Sequence, residues 1–337
     1  MSQEKSNITI IAEIAQGFEG NFEQSKLLIK AAAKAGANAT KFQLVYADEL
    51  AVVDYQHYSL FKELEMSETQ WKTLNDYASS LGSQLIVDIF GEKSLRTAEN
   101  IGVNTVKVHG TDVANQGLLE AIATSSIKKV ILGVGGAYWG EIENALKVLN
   151  RKALVLLCGF QGYPTETEDN HIVRMNLIQR KAKSLHTNFE MGFADHPVGD
   201  NFSSTICLVA LGAGAKVIEK HLTLGKIMEL EDFESAINPD EFNDFVNQIR
   251  VGNKALGSTL DIPNFNMSLA EVTYRKNIRK DVVGNKNLIV GSILTIYDLE
   301  LKRTNNPNAI KELKRVLNKT LLKPVKKNDP ILNSDIN

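Results

Sequence analysis

Short apolar runs alternate with longer amphipathic stretches through most of the chain. The runs fall at residues 8–12, 37–44, 84–90, 105–108, 129–132 and 153–157, and two more lie just ahead of His196 and His221. Each is rich in Ile, Val, Leu, Phe or Ala and short enough to be a buried strand. Helical patterns with readable ends separate them. Asn21 is placed to cap a helix that runs to Ala35 and stops at Gly36. Ser67 opens a Ser-Glu-Thr-Gln capping box for a helix to Leu81, with Gly82 as the stop. Further helices are predicted over 93–101, 116–125, 141–149, 172–184, 202–211 and 239–256.

Strict alternation of strand and helix predicts parallel strands. Eight such units in roughly 250 residues predict a (β/α)8 TIM barrel, here covering 1–257. A doubly wound sheet is the alternative use of the same pattern. The stretch 258–274 carries Pro263, Asn264 and Asn266 without a regular period and reads as a linker. From Arg275 the texture changes. Short runs at 279–283, 288–295, 299–303, 319–329 and 331–336 are separated by turn residues, with one helix-like run at 310–317. They predict a small β-rich module over 275–337.

Composition narrows the function classes. A formal net charge of −2 excludes a strongly electrostatic nucleic-acid binder. No apolar run approaches the roughly 18 residues of a membrane span, and the first residues do not spell a secretory signal. Cys158 and Cys207 form no CxxC spacing, so a reducing, cytoplasmic setting is expected.

The candidate chemistry lies at strand ends. Glu13, Lys41, Gln43, Asp88, Lys107, His196 and His221 all fall at or just past the C-terminal end of a predicted strand. In a barrel that end is the active-site face. The stretch 192–224 presents its two histidines at equivalent points of one strand–helix–strand unit, which suits a divalent transition metal. Lys41 and Lys107 would point into the same bowl. They could hold a phosphate or carboxylate as point charges, or form a Schiff base. Glu13 suits proton transfer or holding a hydroxyl. Gly133-Val134-Gly135-Gly136 offers backbone N–H groups to an anion. These residues point to metal-assisted chemistry on a small anionic substrate.

Several stretches resemble one family along essentially the whole chain. They are Ala12-Glu13-Ile14 with Glu19-Gly20, the GANATKFQ of 36–43, Val106-Lys107-Val108, Tyr163-Pro164-Thr165, Ala194-Asp195-His196, the LGAGAKVIEKHLT of 211–223 and the DFESAINP of 232–239. The chain resembles the sialic acid synthases of the NeuB family. The C-terminal module resembles that family's antifreeze-like (SAF) domain, with Leu301-Lys302-Arg303 matching its Lys-Arg motif. The resemblance implies condensation of phosphoenolpyruvate (PEP) with an open-chain amino-sugar aldehyde, to a nine-carbon 3-deoxy-ulosonic acid and phosphate. It implies a divalent metal, usually Mn2+ with Mg2+ or Co2+ as alternatives, on His196 and His221. Lys41 and Lys107 would anchor PEP, and Glu13 would contact the reacting centre. Gln43, Tyr163 and Asp232 would contact the sugar. Arg303 would reach the partner subunit's active site in a domain-swapped homodimer.

The chain departs from the family pattern at defined points. Gly17-Phe18 stands where the family has Asn-His. The family's serine after Lys107 is replaced by His109-Gly110, with Thr111 as the adjacent hydroxyl and the candidate PEP contact. Gly133 and Ala194 replace two further serines, Gln161 an asparagine, and Thr304-Asn305 a Pro-Gly. These changes mark a divergent branch whose acceptor need not be N-acetylmannosamine. A different metal-dependent barrel aldolase or epimerase, and a non-catalytic sugar-binding relative, are the competing readings.

Overall fold

A computed structural model describes residues 8–159, 162, 165–196, 203–257 and 267–337. Eight parallel strands close into a barrel in sequence order. They are β1 (Thr9–Ala15), β2 (Ala39–Gln43), β3 (Gln84–Ile89), β4 (Thr105–Val108), β5 (Lys129–Gly133), β6 (Ala153–Cys158), β7 (Phe189–Asp195) and β8 (Ala215–His221). β8 pairs back onto β1, placing Glu13 opposite His221. The (β/α)8 expectation is met, and the doubly wound alternative falls with the closure.

The connecting helices are α1 (Phe22–Lys34), α2 (Ala47–Leu50), α3 (Tyr58–Glu63), α4 (Glu68–Ser80), α5 (Glu92–Ile101), α6 (Gln116–Thr124), α7 (Trp139–Val148), α8 (Val173–Ala182), α9 (Ser203–Gly212) and α10 (Pro239–Leu256). Their starts follow the local chemistry. The Asn21 side chain accepts from Gln24 N–H, and Ser67 and Gln70 complete a reciprocal capping box. α2 and α3 are additions to the sequence reading. Each is too short to show an apolar period.

Alternation along the strands builds two apolar layers. Ile11, Ala39, Ile86, Ile131, Val155, Leu157, Ala194 and Val217 fill the barrel interior. The larger cluster lies between the sheet and the helices. In it Phe18 packs edge-on against Phe42 and Trp71, with ring centroids 5.6 and 5.7 Å apart. Along β1, β2, β3 and β8, two residues past the interior apolar layer, the inward positions become charged: Glu13 follows Ile11, Lys41 follows Ala39, Asp88 follows Ile86 and Glu219 follows Val217.

The chain divides into two compact units, 1–257 and 258–337. The second unit contains α11 (Leu269–Ile278) and a two-stranded antiparallel sheet of β9 (Asp281–Gly284) and β10 (Leu299–Lys302). α11 overlaps the stretch read as a linker. Its Ser268 start is a capping box with Glu271, and none of its residues is buried, so the apolar period that marks a packed helix is missing from the sequence. The helix-like run at 310–317 is instead a single 3-10 turn, Leu313–Arg315. Ile310 and Val316, on either side of it, are buried with Val282, Leu294, Leu299 and Ile331. Of the five short runs, two became strands. The others contribute isolated bridges, such as Leu288 with Val325 and Leu321 with Ile336.

Candidate active site

The inward charges form one connected group at the C-terminal end of the barrel. Lys41 Nζ is fully buried, bonded to Asp88 Oδ1 at 2.8 Å and in contact with Glu13 Oε2. Lys107 Nζ bonds Glu219 Oε1 at 2.8 Å and lies 3.8 Å from both Glu13 and Asp88. Register explains the convergence, because Glu13 pairs with Lys41 and Asp88 with Lys107 across neighbouring strands. Two ammonium groups and three carboxylates thus share one floor.

Burial is the largest influence on both lysines, yet they shift oppositely. Burial prevails at Lys41 and pulls it down to about 8. At Lys107, Asp88 and Glu219 outweigh burial and hold the ammonium above its ordinary value. Burial pushes the Glu219 carboxyl up, but Lys107 and Lys41 reverse this and hold it at about 2.

Above this floor opens a cavity of about 160 Å3. Its lining includes Glu13, Gln43, Asp88, Lys107, His196, His221 and Asp232. Lys41 lies beneath it. The His196 and His221 Nε2 atoms are 3.2 Å apart. Burial, opposed by Glu219, pulls His196 down to about 3. Burial and the neighbouring cations take His221 well below its ordinary value. Both imidazoles are therefore neutral at neutral pH, the form that ligates metal. Two nitrogens each about 2.1 Å from one ion, at an angle near 100°, would be separated by about this much. The pair fits a divalent ion as two of its ligands. Among the described residues no group of three or more His, Cys, Asp or Glu is arranged to hold a metal, so solvent or substrate oxygens would complete the shell.

Other sequence-predicted residues distribute unevenly. Gln43 accepts at Oε1 from Gln16 Nε2 at 2.8 Å. Asp232 sits at the cavity with φ of 65° and accepts at Oδ2 from Gln16 N–H. Gln16 ties the two together and went unnoticed in the sequence. Thr111 is exposed on the 3-10 turn Gly110–Asp112. Its hydroxyl donates to Asp112 and meets His109 Nδ1, and it is absent from the cavity lining. Tyr163, with Pro164 and Gln161, lies outside the described residues. Thr165 is buried and donates its N–H to the His196 carbonyl at 2.6 Å. Arg303, in the second unit, is exposed and donates from Nε to the Ile278 carbonyl.

Three of the departures, Gly110, Gly133 and Phe18, fall where packing is tight. A Cβ on Gly133 would lie 2.8 Å from Gly110 N, and one on Gly110 would lie 2.9 Å from the Gly135 carbonyl oxygen. The β4 and β5 ends approach backbone to backbone, and a serine has no room at either point. Phe18 is wholly buried in the aromatic cluster. Glu219 on the floor and His109 in the lining are residues to which the sequence assigned no site role. Counting back by two from His221 reaches Glu219, and His109 directly follows β4.

Comparison with known proteins decides the family. The NeuB family model matches residues 28–261. The chain belongs to the NeuB family. An uncharacterised protein of Methanocaldococcus jannaschii is 33% identical over 97% of this chain and 94% of its own length. The N,N'-diacetyllegionaminic acid synthase of Legionella pneumophila is 28% identical over 93% of this chain and 90% of its own. A crystal structure of N-acetylneuraminic acid synthetase from Leptospira borgpetersenii, in complex with citrate, superposes with a TM-score of 0.71 at 27% identity. It covers 81% of this chain and 93% of that one. As a NeuB protein this chain is a transferase-type enzyme, of the class that condenses PEP with a sugar. No helix among its described residues is long and apolar enough to cross a membrane.

Proposed function

We propose that this NeuB protein condenses PEP with the open-chain aldehyde of an N-acetylmannosamine-like amino sugar. The products are a nine-carbon 3-deoxy-ulosonic acid and phosphate. The observation that carries the reading is the convergence of Glu13, Lys107, His196 and His221 on one cavity, with Lys41 beneath it.

The reaction joins the PEP methylene carbon to the aldehyde carbon. A water oxygen ends on the former enol carbon, phosphate departs, and the aldehyde oxygen gains a proton. PEP is a multiply charged anion, and Lys107 is a fixed cation on the cavity wall. Held above its ordinary pKa by Asp88 and Glu219, Lys107 is no amine nucleophile, which favours anion holding over a Schiff base. Lys41 steadies the Glu13 and Asp88 carboxylates from below. Glu13, with Oε1 taking the Ala15 N–H at 2.7 Å and Oε2 on Lys41, is oriented toward the reacting centre. The closely approaching Gly110 and Gly133 backbones can supply N–H groups where side-chain hydroxyls do not fit. His196 and His221 would hold the divalent ion, with Mn2+ placed ahead of Mg2+ and Co2+. When bound, that ion supplies Lewis-acid polarisation of the acceptor aldehyde. Gln43 and Asp232, linked through Gln16, would orient the acceptor hydroxyls. A homodimer and an antifreeze-like second unit belong to the same proposal.

The test is phosphate release from PEP by metal-stripped protein resupplied with Mn2+, across N-acetylmannosamine, mannose and diamino-hexose acceptors. Release that needs both metal and an amino sugar supports the reading. Release without PEP-derived product, or none with any acceptor from metal-loaded protein, overturns it.

A further inference from the structure

The residue before each cavity histidine carries a charge. Asp195 precedes His196, Lys220 precedes His221, and the two are register partners across β7 and β8. Asp195 Oδ2 and Lys220 Nζ lie 3.0 Å apart, with side chains 1% and 0% exposed. Side chains alternate along a strand. Ala194 faces the barrel interior and both histidines line the cavity, so the ion pair occupies the opposite face, under α9. Cys207 on α9 registers it. Burial, then the Asp195 charge, pushes that thiol well above its ordinary value.

Stability does not account for this pair. Among the described residues, neither Asp195 oxygen nor Lys220 Nζ has a hydrogen-bond partner, and each has only the other as an ionic contact. Two ions removed from water with a single contact return little, and an apolar pair of similar volume is commonly as stable or more so. Register does account for it. The β7–β8 ladder shifts between Met191 and Gly192, so the alignment of everything beyond must be fixed again. An error of one residue would turn a histidine out of the barrel. An error of two would keep the face but part the rings by about 7 Å.

We propose that the Asp195–Lys220 ion pair is a positioning device. It sets the register of β7 on β8 beyond the shift and so holds the His196 and His221 imidazoles at a spacing one divalent ion can bridge. The metal in this statement rests on the function proposed above; the ring placement does not.

The variant D195L/K220M replaces both ions with apolar side chains. Thermal stability within a few degrees of the parent is expected, together with at least a tenfold loss of Co2+ affinity by titration calorimetry and an altered cobalt absorption spectrum. H196A and H221A serve as references for the loss of a ligand. Parental affinity and spectrum in D195L/K220M would overturn the proposal. If that variant does not fold, D195N is read the same way, and unchanged cobalt binding there is equally fatal. If the parent itself binds no cobalt, the metal reading fails by itself. A crystal structure of the metal-free variant then decides the positioning: displaced Nε2 atoms support it, and a retained 3.2 Å separation refutes it.

Discussion

His196 and His221 meet edge to face across the cavity, ring centroids 5.0 Å apart and both buried, from the ends of adjacent parallel strands. H196A or H221A is expected to cost on the order of a thousandfold in metal-dependent turnover, about 4 kcal/mol of transition-state stabilisation. Steady-state phosphate release at saturating PEP checks this, with equilibrium dialysis showing the lost metal.

Glu219 is the closest partner of Lys107 and is 1% exposed. Glu219→Gln leaves two buried ammonium groups facing one carboxylate fewer. We expect a loss on the order of 3 kcal/mol, read as a lower urea midpoint with an unchanged slope. An E219Q protein as stable as the parent would mean that the floor is not electrostatically coupled.

Gly133 touches Gly110 so closely that a side chain at either must push the β4 and β5 ends apart. Gly133→Ser introduces a hydroxyl at the position where the family resemblance implies one, yet it is expected to destabilise by about 1–3 kcal/mol and to raise the KM for PEP. A gain in PEP affinity would contradict a backbone-lined anion pocket.

Phe18 anchors the aromatic cluster with Phe42 and Trp71. Phe18→Ala should cost about 3–5 kcal/mol of stability while leaving the KM for PEP of the folded protein near the parental value. A KM effect as large as the stability effect would place Phe18 in the site instead of the core.

Asp298 in the second unit accepts from Lys286 and from Thr295, and these bonds hold its carboxyl at about 2. A carboxyl lowered on folding stabilises above its ordinary value near 3.8, and that contribution is lost as pH falls from there to about 2. Asp298→Asn should therefore lower the melting temperature at pH 7 and lower it much less near pH 2.5. An equal deficit at both pH values would assign the loss to packing.

The barrel was legible because its signals are local and repeated. Asn21, Ser67 and the glycines punctuate helices whose strands are plain apolar runs. The polar strand ends Glu13, Lys41, Lys107, His196 and His221 could be placed on one face because parallel strands all end there. Pairings were not legible. Which carboxylate meets which lysine depends on inter-strand register, so Glu219, inside an apolar run, was passed over. Thr111 is exposed on a 3-10 turn, which composition does not announce. In the second unit the core is assembled from single residues on irregular backbone, such as Leu288, Ile310 and Val325, and no period announces them.

The most direct test of the account is the mass of the product made from PEP and an N-acetylated amino sugar with Mn2+ present. The account predicts one new acid, heavier than the acceptor by the three-carbon pyruvate unit, formed in a one-to-one ratio with phosphate and absent without metal. Phosphate released with the sugar unchanged, or a sugar altered without PEP consumption, would contradict it.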